Sequence, residues 1–164
     1  MPTEEQLREE LIKLRGSKTV IVGIGNTLKG DDGVGPLVCE QLRDADLSAE
    51  LIDAGAVPEN HIGKIIRKAP RNLIIIDAVD SGAPPGTISL FKMEQLSSGA
   101  FSTHAPSLRL FVDMIRAEIE TEVYFVGVQP EHVRFGQPVS CRVGCAVESL
   151  KAVLTEIFSP EKAG

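Results

Sequence analysis

No run of about eighteen apolar residues occurs anywhere in the 164-residue sequence, which argues against a membrane-spanning helix. The first residues, MPTEEQLREELIKLR, are charged where a secretory signal would be apolar, so a soluble, cytoplasmic protein is expected. Positive charge is scarce: 17 Lys and Arg stand against 23 Asp and Glu, a net charge of -6. Without a basic stripe to release counterions, neither a nucleic acid nor an anionic membrane is expected as a partner. Three cysteines, Cys39, Cys141 and Cys145, make no disulfide framework and suit a reducing compartment. Cys141 and Cys145 lie four apart in a helical pattern; two such thiolates could share a metal, but a pair of small buried hydrophobes is the expectation. The H-E-x-x-H helix, the G-x-S-x-G elbow and the C-x-x-C pair are all missing. Nor does any repeat, low-complexity tract or linker divide the chain, whose length suits one core. Residues 1–164 are therefore expected to form a single domain, with 1–17 as an N-terminal helical extension.

What is present is an alternation of apolar strands with helical patterns. Thr3 and Gln6 have capping-box spacing, and Leu7, Leu11, Ile12 and Leu14 recur at helical intervals up to Gly16. TVIVGI and NLIIIDAV read as strands buried on both faces, AELID as a short strand, TISLFK as an edge strand and EVYFVGVQ as a further strand. Between them GVGPLVCEQLRDA, PENHIGKIIRKA, SLRLFVDMIRAEI and SCRVGCAVESLKAVLTEIF read as helices, the second opened by a proline in its first turn. Such alternation predicts an α/β fold with a mostly parallel sheet of about five strands, covered by helices on both faces. Ligands of such folds collect at the carboxyl ends of the strands.

Acids stand at those ends. The first strand runs into GIGNTLKGDDGVG with Asp31 and Asp32, the second ends at Asp53, and the third ends at Asp77 with Asp80 close behind. The loop fails the dinucleotide fingerprint, because the sixth position from Gly23 is Leu28, and it fails the phosphate-loop pattern, because Lys29 is followed by Gly30 and Asp31. Carboxylates at a helix N-terminus take the place a phosphate would want. The glycines are then expected to permit tight turns and close backbone approach around an acid. Either Asp31 or Asp32 could simply cap the helix, and Asp53 and Asp77 could close turns. Acids at three successive strand ends nonetheless predict a rim of carboxylates, which repel one another unless a cation is present. His104, in FSTHAPS before a helix, is the candidate nitrogen ligand, whereas His61 and His132 are expected to be structural or exposed. Oxygen ligands with one imidazole suit Zn, Ni, Mn or Fe.

The motifs GIGNTLKGDDGVGP, IDAGAVPEN, LIIIDAVDSGAPPGTI, STHAPSL and VYFVGVQPEHVRFGQPVS, in this order from about Thr19 to Phe158, resemble the maturation endopeptidases of [NiFe] hydrogenases, especially the hydrogenase-3 type. The resemblance implies a phosphorylase/hydrolase-like three-layer α/β/α domain. It further implies removal of a C-terminal extension from the hydrogenase large-subunit precursor after nickel insertion, with nickel as the recognition signal. By the same resemblance the metal-contacting and catalytic residues are Asp32, Asp77 and His104, Asp31 orients the loop or caps the helix, and nickel arrives with the precursor. The expected protein is a monomeric, aspartic-type endopeptidase. Where many relatives have Asp-Gly-Gly, this chain has Asp53-Ala54-Gly55. A non-catalytic nickel-binding assembly module is the alternative; a metal-dependent phosphohydrolase is a weaker third reading, because it lacks an evident basic phosphate clamp, Lys29 being the only strong candidate near the loop.

Overall fold

A computed structural model describes residues 4–92 and 105–160 of the protein. Five strands form among them: β1 (Thr19–Ile24), β2 (Glu50–Gly55), β3 (Asn72–Ala78), β4 (Ile88–Phe91) and β5 (Glu122–Val128). Their order across the sheet is β2-β1-β3-β5-β4. The first three and β5 run parallel, and β4 closes one edge antiparallel to β5. Every residue of β1 and β3 is buried, as continuous β-branched runs in the middle of a parallel sheet require.

Two helical layers cover the sheet. One face carries α1 (Glu4–Ile12), α2 (Val34–Leu42) and α5 (Cys141–Phe158); the other carries α3 (Ile62–Lys68) and α4 (Ala105–Arg116). Alternation along the strands feeds the two cores separately. Ile74 and Ile76 of β3 pack toward α2 and α5, whereas Leu73 and Ile75 pack toward α3 and α4. The three-layer α/β/α expectation therefore holds. Helices α2 and α3 are each preceded by a turn of 3-10 helix, Gly30–Gly33 and Pro58–His61; the second takes the first turn of the single helix expected from Pro58, whereas the first lies ahead of the helix expected from Gly33.

The N-terminal helix packs on its own domain, against α5 and β4. Leu7, Leu11 and Leu14 are buried in the first core, while Ile12 falls off that stripe and is exposed. Arg15 donates from Nε to the Ile157 carbonyl at 3.0 Å and from Nη2 to the Glu156 carbonyl at 2.7 Å, satisfying carbonyls in the last turn of α5 that have no partner within the helix. Arg8 pairs with Glu156 beside them.

One expectation fails on α5. Its buried stripe is Val143, Ala146, Val147, Leu150, Val153, Leu154, Ile157 and Phe158, and Cys141 and Cys145 lie outside it, both exposed. They are not buried hydrophobes; the thiol that is buried is Cys39 of α2. No described helix is long and apolar enough to cross a membrane.

Candidate functional site

From β1 the chain crosses to β2 on one side and later returns to β3 on the other, so the sheet has its topological switch point at the carboxyl ends of β1 and β3. A crevice opens there in any fold of this connectivity. The glycine loop after β1 forms one wall. Gly25 sits at φ +147°, and a Cβ on it would lie 1.9 Å from the Asp32 carbonyl oxygen. Gly35 lets the first turn of α2 rest on the strands, since a Cβ there would lie 2.4 Å from the carbonyl oxygens of both Ile24 and Ile76. These glycines serve close backbone approach around an acid, as expected from the sequence.

Asp32 lies half-buried, its Oδ2 accepting the Asn26 N–H at 2.9 Å. Across the crevice, Asp77 near the end of β3 is only 4% exposed, and its Oδ1 accepts the Ala78 N–H at 2.8 Å. Burial, reinforced by the negative charge of Asp32, raises the pKa of Asp77 well above the ordinary carboxylate range, against the weaker pull of the Ala78 hydrogen bond. Both carboxylates line a pocket of about 270 Å³ together with Asn26, Lys29, Ala56 and Val133. Two acids that share a small pocket, one of them buried, are suited to general acid–base work or to holding a cation.

Asp31 has the other role weighed for it. It is fully buried, and its carboxylate accepts from the N–H groups of Glu131, His132 and Ser140 and from the Ser140 hydroxyl, at 2.7–3.2 Å. Burial alone would raise its pKa, but these four donors together bring it below the ordinary value. Asp31 thereby ties the glycine loop to the 130–140 loop instead of capping a helix. His132 is structural, as expected, its ring lying over Gly30 where a Cβ would be 2.7 Å away.

The rim is narrower than the strand-end acids suggested. Asp53 is exposed, its Oδ1 accepts the Gly55 N–H at 3.1 Å, and it borders a separate pocket with Cys39 and Arg43. Asp80 is exposed as well, and its Oδ1 accepts from Gly82 N–H and from Gln129 Nε2. Both acids close turns, the role short carboxylate side chains commonly take in loops. His104 lies outside the described residues. Among the described residues, no three His, Cys, Asp or Glu side chains are placed to hold a metal. Three lining residues were not among the expected ones: Ala56 and Val133, for which no local pattern exists, and Asn26, whose place directly after Gly25 at a strand end was the signal available.

Fold and site together define a three-layer α/β domain that presents paired carboxylates at its switch point. The chain belongs to the hydrogenase maturation protease family, and so to a family of peptidases: the family model with that description matches residues 36–157. It is 35% identical over 133 residues to the hydrogenase 3 maturation protease of Escherichia coli, covering 80% of this chain and 85% of that protein. Its fold is similar to the crystal structure of the [NiFe] hydrogenase maturation protease HycI from Thermococcus kodakarensis, with a TM-score of 0.85, 26% identity and coverage of 94% of this chain and 99% of that one. The solution structure of the endopeptidase HycI from E. coli matches with a TM-score of 0.75 and 31% identity, over 85% of this chain and 90% of that one.

Proposed function

We propose that this protein is a cytoplasmic, monomeric endopeptidase that removes the C-terminal extension of a [NiFe]-hydrogenase large-subunit precursor, and that it reads the nickel already inserted in that precursor as its licence to cut. The observation that carries this reading is the burial of Asp77 beside Asp32 at the switch point. Two such carboxylates ionise together only when a positive charge joins them. Nickel brought by the precursor supplies that charge, with Asp32, Asp77 and His104 as the residues facing it and oxygen and imidazole as suitable donors. The metal is in this view part of the substrate.

For the hydrolysis itself, one ionised carboxylate takes a proton from water as it attacks the scissile carbonyl, and the same proton passes to the departing amine. Asp77 and Asp32 are the groups within the pocket that can accept it. No thiol takes part in this scheme, which agrees with the buried position of Cys39 and with the outlying positions of Cys141 and Cys145 on α5.

Intact-mass analysis of a large-subunit precursor mixed with the protein, in nickel-loaded and nickel-free forms, tests the reading. Loss of a C-terminal peptide from the loaded form alone, abolished by His104→Ala, is the expected result. Binding of the loaded precursor without loss of mass would show an assembly module instead.

A further inference from the structure

Seven large apolar side chains are strongly exposed among the described residues, and Leu28, Val133 and Phe135 come from the two loops that flank the acid pocket. The Gly136 N–H donates to the Leu28 carbonyl at 2.8 Å, drawing the 130–140 loop onto the glycine loop. Val133 lines the pocket itself, and Val57, a fourth exposed residue, directly follows the lining residue Ala56. Phe135 is the most exposed of the seven, at 72%.

An aromatic ring in solvent would usually sit on a loose loop. Here the loop is held on both sides of the ring: Asp31 binds Glu131 and His132 before it and Ser140 after it, and the His132 ring is seated over Gly30. A side chain presented in this way loses little freedom when a partner covers it, the property of preorganised anchor residues at binding sites. The same aspartate that anchors this loop is the neighbour of Asp32, so Asp31 ties the apolar rim to the glycine loop that carries one of the two carboxylates.

We infer that Leu28, Val133 and Phe135 form a substrate subsite, which grips aliphatic or aromatic side chains of the precursor next to the scissile bond and lays the peptide across the Asp32–Asp77 pocket. The inference rests on the peptidase reading above. These three are specificity-determining residues: they hold the chain and leave the bond-breaking to the acids. An apolar grip suits an acidic protein with an acidic pocket, because it adds affinity for a neutral peptide segment without placing further charge beside the carboxylates.

The test uses fluorescently labelled short peptides tiling the C-terminal region of a hydrogenase large-subunit precursor, with binding read by anisotropy, together with cleavage of the nickel-loaded precursor. Peptides rich in Leu, Ile, Val or Phe are expected to bind the wild type, and to bind Phe135→Ser roughly tenfold or more weakly. Phe135→Leu should restore most of the affinity. In cleavage, Phe135→Ser and Val133→Ser should raise KM with little change in kcat, at an unchanged melting temperature. Unchanged peptide affinity and KM in both variants would overturn the subsite while leaving the peptidase reading intact, and so would a wild type that captures none of the peptides yet cuts the precursor. Peptide binding lost in Phe135→Ser, by a wild type that never cuts the loaded precursor, would overturn the peptidase reading and leave an apolar recognition site.

Discussion

Asp32 and Asp77 face one pocket from opposite sides of the crevice between β1 and β3, and the charge of the first adds to burial in raising the proton affinity of the second. Uncompensated, such a pair lowers the stability of the folded protein. This coupling leads to the first expected outcome.

In chelator-treated protein, Asp77→Asn should raise the melting temperature at neutral pH. The folded state holds a proton on Asp77 that the unfolded chain has released above the ordinary value of 3.8, so stability falls as pH rises from there toward the raised folded value. The advantage of the asparagine variant should therefore shrink to nothing as pH drops below that ordinary value. Cleavage of the loaded precursor by the same variant should fall at least about a hundredfold, the usual order for loss of a proton-transferring group. Thermal melts across pH and the mass assay check the two halves independently.

Asp31 should behave in the opposite sense. Its carboxylate has a lowered pKa, so its stabilisation is complete above 3.8 and is lost as pH falls through the lower folded value. Asp31→Ala strands four donors at once and should cost about 3–5 kcal/mol in urea unfolding at pH 7. A cost under about 1 kcal/mol would show that the loop does not depend on this anchor.

Gly25→Ala should impair both folding and cleavage. The added Cβ meets the Asp32 carbonyl oxygen at 1.9 Å in a backbone conformation of positive φ, and the strain alone is of order 1–3 kcal/mol before the clash is relieved. Gly55→Ala has positive φ but nothing within 4 Å of its Cβ, so it should be the milder change in a side-by-side unfolding experiment.

Thiol titration of the native protein should label Cys141 and Cys145 readily and Cys39 only on unfolding, since burial and the nearby charge of Asp53 push the Cys39 thiol up to about 12. A Cys141→Ser, Cys145→Ser double variant should cut the precursor at the wild-type rate. Loss of cleavage by a folded double variant would reopen a thiol mechanism.

The central strands were legible in the sequence because TVIVGI and NLIIIDA are apolar on both faces, and their boundaries fall within a residue of those expected. The acids were legible only as positions. Strand-end placement cannot tell which way a side chain turns, and along β2 the two-residue alternation sends Ile52 and Ala54 into the core beneath α3 and α4 and leaves Asp53 exposed. Asp31 and Asp32 differ for a similar reason: within one tight turn, successive carboxylates leave in different directions, one toward the 130–140 loop and the other toward the crevice. The exposure of Cys141 and Cys145 was there to be read, since Val143, Ala146, Val147 and Leu150 already define the buried spacing. Contributions from the 130–140 loop had no such periodic signal, because Val133 reaches the pocket through a contact about a hundred residues from Asp31 along the chain.

The Arg15 and Arg8 contacts to the end of α5 also bear on how the chain is made. The stripe of Leu7, Leu11 and Leu14 packs on a helix far along the chain: Arg8 and Glu156, which pair across that contact, stand 148 residues apart. Until that helix has been made, the apolar side of α1 has no partner there to cover it. Contacts of such long sequence separation carry the largest loop-closure cost and belong to the slow part of folding.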